Sequence, residues 1–126
     1  MRVLLDSSAF VKWVLGEIVP SRVKRTLQKS TNEILLSIVT PWEIALKAST
    51  GRLTITNAQV QRYMSEMAAQ LLPIRMEHTA QLYDLPRHHN DPFDRMLIAQ
   101  ALVERAPLVS SDERFLLYRG LQVIWD

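Results

Sequence analysis

Four carboxylates stand where short apolar runs end or helical patterns begin. Asp6 closes the run Val3-Leu4-Leu5, and Asp112 follows Pro107 to Ser110. Glu43 lies in the first turn of a helical pattern opening at Thr40-Pro41, and Asp94 in the first turn of a long apolar pattern. Carboxylates gathered in one cleft repel each other, and some take up protons. A divalent cation relieves that repulsion. Donor sets made only of oxygen select hard ions such as Mg²⁺ or Mn²⁺. Ions held this way hydrolyse phosphodiesters by activating a water and stabilising charge on the leaving oxygen.

Each acid taken singly also has a structural reading. Acids favour helix N-termini, where they accept orphan N–H bonds and oppose the helix dipole. Thr40-Pro41-Trp42-Glu43 fits a capping box with proline at the first helical position. Asp6 and Asp112 fit as caps in strand-to-helix turns. Asp94 resists this reading. Leu97, Ile98 and Ala101 share its helical face, and from Met96 to Val103 only Gln100 is polar. Such a helix is expected to be central and largely buried. A carboxylate on its inner face must be paired, protonated or bound to metal, and few cations are placed to pair it. Asp91 is expected at the N-cap of this helix, Pro92 at its first position and Asp94 at its third.

The elements that must position these acids alternate along the chain. Strands are expected at Val3–Leu5, Glu33–Val39, Leu72–Met76, Pro107–Ser110 and Leu121–Trp125. Helical patterns cover Ser8–Leu15, Pro20–Lys29, Thr40 to Thr50-Gly51, Thr56–Leu71, a stretch up to Pro86, Asp91–Arg105 and Asp112–Tyr118. Strands separated by helices imply crossovers and a mostly parallel sheet. Near-continuous apolar strands such as Ile34-Leu35-Leu36 fit a sheet covered on both faces. Ligands bind such sheets beyond the carboxyl ends of the strands, so the segments following each strand are where function is expected.

Composition narrows the classes further. At 126 residues, 48% of them hydrophobic, the chain suits one compact domain, expected to span residues 1–126. The net charge of +2 is too mild to signal nucleic-acid binding by itself, although a local patch can supply it. With no cysteine, disulfides, thiolate zinc sites and cysteine nucleophiles are excluded; a reducing, cytoplasmic setting fits. No apolar run approaches the roughly 20 residues of a membrane span. Met1 to Asp6 meets charge too early for a signal peptide.

Other residues carry two readings each. Arg95 and Arg114, beside the acids, are candidates for phosphate contacts, or else pair locally with Asp91 or Glu113. Lys47, one turn after Glu43, is expected to pair with it on the surface. Arg22, Lys24, Arg25 and Lys29 read as a solvated helix face or an RNA-facing patch. His88-His89 lacks the helical spacing of a zinc motif. Ser7 and Ser8 have no evident histidine base, and the three scattered glycines form no phosphate-cradling loop.

Four segments in order resemble the PIN-domain family across essentially the whole chain: Leu4-Leu5-Asp6-Ser7; Trp42-Glu43-Ile44-Ala45-Leu46-Lys47 with Gly51-Arg52-Leu53; Asp91-Pro92-Phe93-Asp94-Arg95-Met96-Leu97-Ile98-Ala99-Gln100-Ala101; and Ser110-Ser111-Asp112-Glu113-Arg114-Phe115. Within that family the chain looks like the VapC-like toxins of bacterial toxin–antitoxin pairs. The resemblance implies an α/β/α sandwich and endonuclease activity on single-stranded RNA with Mg²⁺ or Mn²⁺. It assigns metal and water positioning to Asp6, Glu43, Asp94 and Asp112. Ser7, Asp91 and Ser111 are candidate supports around them, Asp91 reading either as a member of the site or as a helix cap alone. It also implies a homodimer and an inhibitory antitoxin partner. The chain departs from the family pattern in having Ser7 where threonine is usual, and Thr40-Pro41 where serine and an apolar residue are frequent. Two alternatives stand beside the ribonuclease: a non-catalytic PIN-like RNA-binding or scaffold module, and a structure-specific DNA nuclease. Val60, Tyr63, Met64 and Met67 are candidates for an exposed contact face, or for ordinary core packing at helical spacing.

Overall fold

The computed structural model describes residues 1–126. Five strands form one sheet: β1 (Arg2–Leu5), β2 (Glu33–Ser37), β3 (Gln70–Leu72), β4 (Leu108–Val109) and β5 (Val123–Ile124), in the order β3-β2-β1-β4-β5. Every pairing is parallel. Six helices connect them: α1 (Ser7–Val14), α2 (Ser21–Gln28), α3 (Val39–Ser49), α4 (Asn57–Glu66), α5 (Met76–Asp84) and α6 (Pro92–Glu104). A short 3₁₀ helix (Glu113–Leu117) lies between β4 and β5. No helix is long and apolar enough to cross a membrane.

The period-2 geometry of a strand sends successive side chains to opposite faces, and two cores result. Val3, Leu5, Ile34, Leu36 and Val109 join Phe10, Val23, Ile44 and Val60 on one face. Leu4, Leu35 and Leu108 join Leu97, Ile98, Ala101 and Phe115 on the other. The architecture is therefore a three-layer α/β/α sandwich. Each fully buried Leu or Ile contributes roughly 1.5–3 kcal/mol relative to exposure, so the apolar runs bind both helical layers to the sheet.

α6 is buried as its composition requires. Leu97, Ile98, Ala99, Gln100 and Ala101 are all inaccessible to solvent or nearly so. Asp91 caps it, accepting from the backbone N–H groups of Phe93 (2.9 Å) and Asp94 (3.2 Å), with Pro92 at the first position.

Several boundaries depart from expectation. α3 begins at Val39, and no side chain caps it in the way a Thr40 capping box would. The Thr40 hydroxyl instead bonds the Ser7 hydroxyl at 2.8 Å, in the interior. Pro41 still lies in the first turn, where its missing N–H goes unneeded. α4 ends at Glu66 rather than Leu71, because Ala68 adopts a left-handed conformation (φ 53°) that turns the chain into β3. β3 accordingly lies two residues earlier than expected and stops before Pro73, which cannot donate to the ladder. Val60 is buried, and Tyr63, Met64 and Met67 pack against the same core. Core packing thus accounts for Val60 and for the buried parts of the other three.

Candidate active site

Because all five strands are parallel, their carboxyl ends share one edge of the sheet, and the segments leaving that edge build a cleft of about 530 Å³. Asp6, Ser7, Glu43, Asp91, Asp94, Ser111, Asp112 and Arg114 all line it. The four acids singled out by the sequence thus come together, as do their three expected supports. Arg95 does not join them.

Asp6 leaves β1 and caps α1, its Oδ1 accepting the Ala9 N–H at 2.7 Å. Only 2% of the residue is exposed. Burial pushes its pKa up to about 6, against the lowering effect of bonds from Ser110 and Ala9; the charges of Asp112 and Glu43 add to the rise. Asp94 is pushed further, to about 7, first by burial and then by the charges of Asp91, Glu43, Asp6 and Asp112. Both shifts come first from burial, and the neighbouring carboxylates add to them.

Glu43 projects from α3. Its Oε2 pairs with Lys47 Nζ at 2.9 Å, the expected one-turn pair. Its Oε1 is buried with no partner at all, which is costly for a carboxylate oxygen. Asp112, after β4, caps the 3₁₀ helix through the Arg114 N–H (2.9 Å) and is gripped by the Arg114 guanidinium at 2.6–3.2 Å. These bonds hold its pKa below the ordinary range. Arg114 Nη2 also lies 3.5 Å from Asp94 Oδ2. Its acidic partners are thus Asp112 and Asp94.

Arg95 is a correction. Its guanidinium turns inward and donates to the carbonyls of Pro86 (2.9 Å), Leu85 (3.2 Å) and His89 (3.4 Å). It is buried and holds the loop before α6, so it does not face a phosphate in the cleft.

His89 is a neighbour the sequence reading passed over. It is buried, its Nδ1 bonds the Tyr118 hydroxyl at 2.7 Å, and its Nε2 stands 3.7 Å from Asp94 Oδ2. Burial lowers its pKa, favouring the neutral ring. Adjacent histidines in a polar loop carry no signal of this, since Tyr118 lies 29 residues away. Lys12 also lines the cleft. Its signal was available: with Phe10 and Val14 facing the core, the opposite side of α1 carries Ser8 and Lys12.

The donor set fits a divalent cation. It is all oxygen, it includes the orphaned Glu43 Oε1, and it holds more negative charge than Lys47 and Arg114 offset. The cleft acids are not among the ligand atoms that crowd within 4.8 Å of one another; the one such group lies elsewhere and was not foreseen. The ligand atoms of Glu77, His78 and Glu104 lie within 4.8 Å of one another, close enough to hold a metal ion. There, however, His78 Nδ1 accepts the Arg75 N–H at 2.9 Å. That leaves the ring proton on Nε2, donating to Glu104 Oε2 at 2.9 Å. A metal at Nε2 would have to displace that proton, and Arg2 already holds Glu104 Oε1 at 3.2 Å.

A parallel α/β/α sandwich with an acid-lined cleft at the carboxyl edge of its sheet defines the class of the fold. The particular family follows from the chain itself. The PIN-domain family model matches residues 3–121, and the chain belongs to that family. Among solved structures it is similar to VapBC2 from Rickettsia felis, determined with a DNA fragment from its promoter (TM-score 0.80, 16% identity, 100% of both chains covered). It is also similar to DNA-bound VapBC from Salmonella typhimurium (TM-score 0.74, 12% identity, 98% of this chain and 97% of that one). A toxin–antitoxin complex from Klebsiella pneumoniae matches at TM-score 0.67 and 18% identity, with 97% and 95% covered. At these identities the likeness is one of fold. No curated protein matches the chain significantly.

Proposed function

We propose that this chain is a metal-dependent endoribonuclease acting as the VapC-like toxin of a toxin–antitoxin pair, with residues 1–126 forming one nuclease domain. The observation that carries the reading is the convergence of Asp6, Glu43, Asp94 and Asp112 on one cleft whose own cations leave Glu43 Oε1 unpartnered. A scaffold without chemistry gains nothing from burying and crowding these acids, which raises the pKa values of Asp6 and Asp94.

In this reading Asp6, Glu43, Asp94 and Asp112 hold Mg²⁺ or Mn²⁺. When bound, the ion supplies Lewis-acid activation of water and of the phosphodiester. The chain's own residues do the rest. The Asp6 cap and the Asp91 cap fix the helix ends from which the ligands project. Ser7, tied to Thr40, fixes α1 against α3, and Ser111 lines the cleft beside Asp112. Arg114, half exposed at the rim, is the one arginine placed to contact a substrate phosphate. Recognition of RNA rests on the family resemblance, as do the antitoxin partner, the homodimer and a cytoplasmic setting. An apolar stripe formed by Trp42 and Leu46 of α3 with Ile38 just before it, all exposed, offers a face for a partner.

The test is cleavage of labelled single-stranded RNA and DNA, with Mg²⁺ and with chelator. The expected result is RNA cleavage with Mg²⁺ or Mn²⁺ only, leaving 5′-phosphate and 3′-hydroxyl ends. Undiminished cleavage in chelator, or a cyclic phosphate product, sinks the mechanism. Preference for structured DNA favours the alternative nuclease.

A further inference from the structure

The four acids differ in how much of each carboxylate is already taken. Asp6 Oδ1 accepts one backbone N–H, and Glu43 keeps one oxygen without a partner. Asp112 is fully engaged. Its Oδ1 accepts both the backbone N–H (2.9 Å) and the Nε (3.0 Å) of Arg114, and its Oδ2 accepts Nη2 (2.6 Å) and Nε (3.2 Å). The same Nη2 lies 3.5 Å from Asp94 Oδ2. The guanidinium therefore bridges two carboxylates that come from different elements.

We infer that Arg114 is a built-in counter-ion of the cleft: it competes with a divalent cation for the Asp112 oxygens, and must leave them before Asp112 can act as a ligand. The inference rests on the reading that the cleft holds the ion. Arg114 is free to move in this way. Its side chain is 52% exposed and follows the first residue of a short 3₁₀ helix. A planar two-pronged grip on a carboxylate is strong and directional, so its release opposes cation binding. Once released, the guanidinium lies at the rim of the cleft, within reach of an incoming phosphate. Cation binding would then expose the charge that a phosphodiester needs. The other cations lining the cleft are placed differently. Lys47 pairs with Glu43 alone, and Lys12 lies over the Trp125 ring, 5.5 Å from its centroid.

The test is Mn²⁺ affinity, measured by calorimetry on the full chain in wild type, Arg114→Gln, Arg114→Lys, Lys12→Gln and Asp94→Asn, with folding checked by circular dichroism. Arg114→Gln should bind Mn²⁺ about tenfold tighter, equivalent to ~1.4 kcal/mol. Arg114→Lys keeps the charge but loses the grip, and should shift affinity in the same direction. Lys12→Gln removes a nearby charge that holds no carboxylate and should leave affinity close to wild type. Unchanged or weaker binding in Arg114→Gln overturns the inference. So does equal tightening in Lys12→Gln, which would show a general field rather than competition for Asp112. If Asp94→Asn loses Mn²⁺ while Arg114→Gln matches wild type, the cleft remains the metal site and only the counter-ion role falls. If Asp94→Asn binds like wild type, the cleft is not the metal site and both fall.

Discussion

The two ends of α6 place the same kinds of residue in opposite circumstances. At the N-terminal end, Asp94 shares a cleft with Asp6, Glu43, Asp91 and Asp112. At the C-terminal end, about 15 Å along the helix axis, Glu104 sits among Arg2, Arg75 and His78. Burial and charge balance together separate them. Glu104 is held below its ordinary pKa, chiefly by the His78 bond and then by Arg2, whereas Asp94 is raised to about 7. An acid whose partners are all supplied by the protein is a fastener. An acid left short of cations is available for chemistry. Acidic composition and mutual proximity do not distinguish the two, since Glu77, His78 and Glu104 also lie close together.

The sharpest way to break this contrast is to neutralise one acid at each end. Asp94→Asn should keep the fold and lower the RNA cleavage rate more than about a hundredfold, the upper range for changes merely adjacent to a metal ligand. Glu104→Gln should leave cleavage near wild type and lower stability in urea by about 1–3 kcal/mol, because it weakens charge-assisted bonds from His78 and Arg2. Normal cleavage by Asp94→Asn, or a dead but folded Glu104→Gln, would reverse the roles assigned to the two ends.

Arg95 tests where the boundary between fastener and site falls. With its guanidinium on three carbonyls, Arg95→Ala should destabilise the protein by roughly 3 kcal/mol, read from the denaturation midpoint. A variant as stable as wild type but weaker in RNA binding would restore the phosphate-contact role.

A smaller effect, of opposite sign at the two ends, should appear in pH dependence. In chelator, the folded chain holds the Asp6 and Asp94 protons up to about pH 6 and 7, while the unfolded chain releases them near 3.8. Folding then binds extra protons, so stability falls as pH rises through that window and stays lower above it. Glu104 behaves conversely. Its contribution is present above the ordinary value of 4.5 and is lost as pH falls through its lowered folded value. Thermal midpoints from pH 3 to 8 should show Asp94→Asn flattening the upper limb and Glu104→Gln the lower one. If Asp94→Asn leaves the upper limb as steep as wild type, crowding of the cleft is not its cause.

The smallest expected change is at Asp91. Asparagine caps a helix about as well as aspartate, so Asp91→Asn should keep the thermal midpoint and cleave within a few-fold of wild type. A folded but inactive Asp91→Asn would make Asp91 a working member of the cleft rather than its support.

What the sequence determined by itself was local. The alternation of apolar runs and helical patterns specified a parallel α/β sheet, and Asp91-Pro92 marked the start of α6. Strand ends placed Asp6, Glu43 and Asp112 at one edge, because parallel topology sends every carboxyl end the same way, while Asp94, on a helix that follows α5 rather than a strand, was marked by its place in the first turn of a buried helix. These follow from periodicity and capping, which depend only on neighbours within a few residues. The tertiary structure decided the rest. The inward turn of Arg95, the bond from Tyr118 to the His89 that faces Asp94, the Arg114 bridge to Asp94, the orphaned Glu43 oxygen and the neutralised Glu104 depend on which surfaces meet when the layers close. Their partners include groups from other elements, as far as Arg2 from Glu104, and no local pattern encodes such a meeting. Where each side chain points, and so which acids are fastened and which are left for chemistry, is settled only by packing.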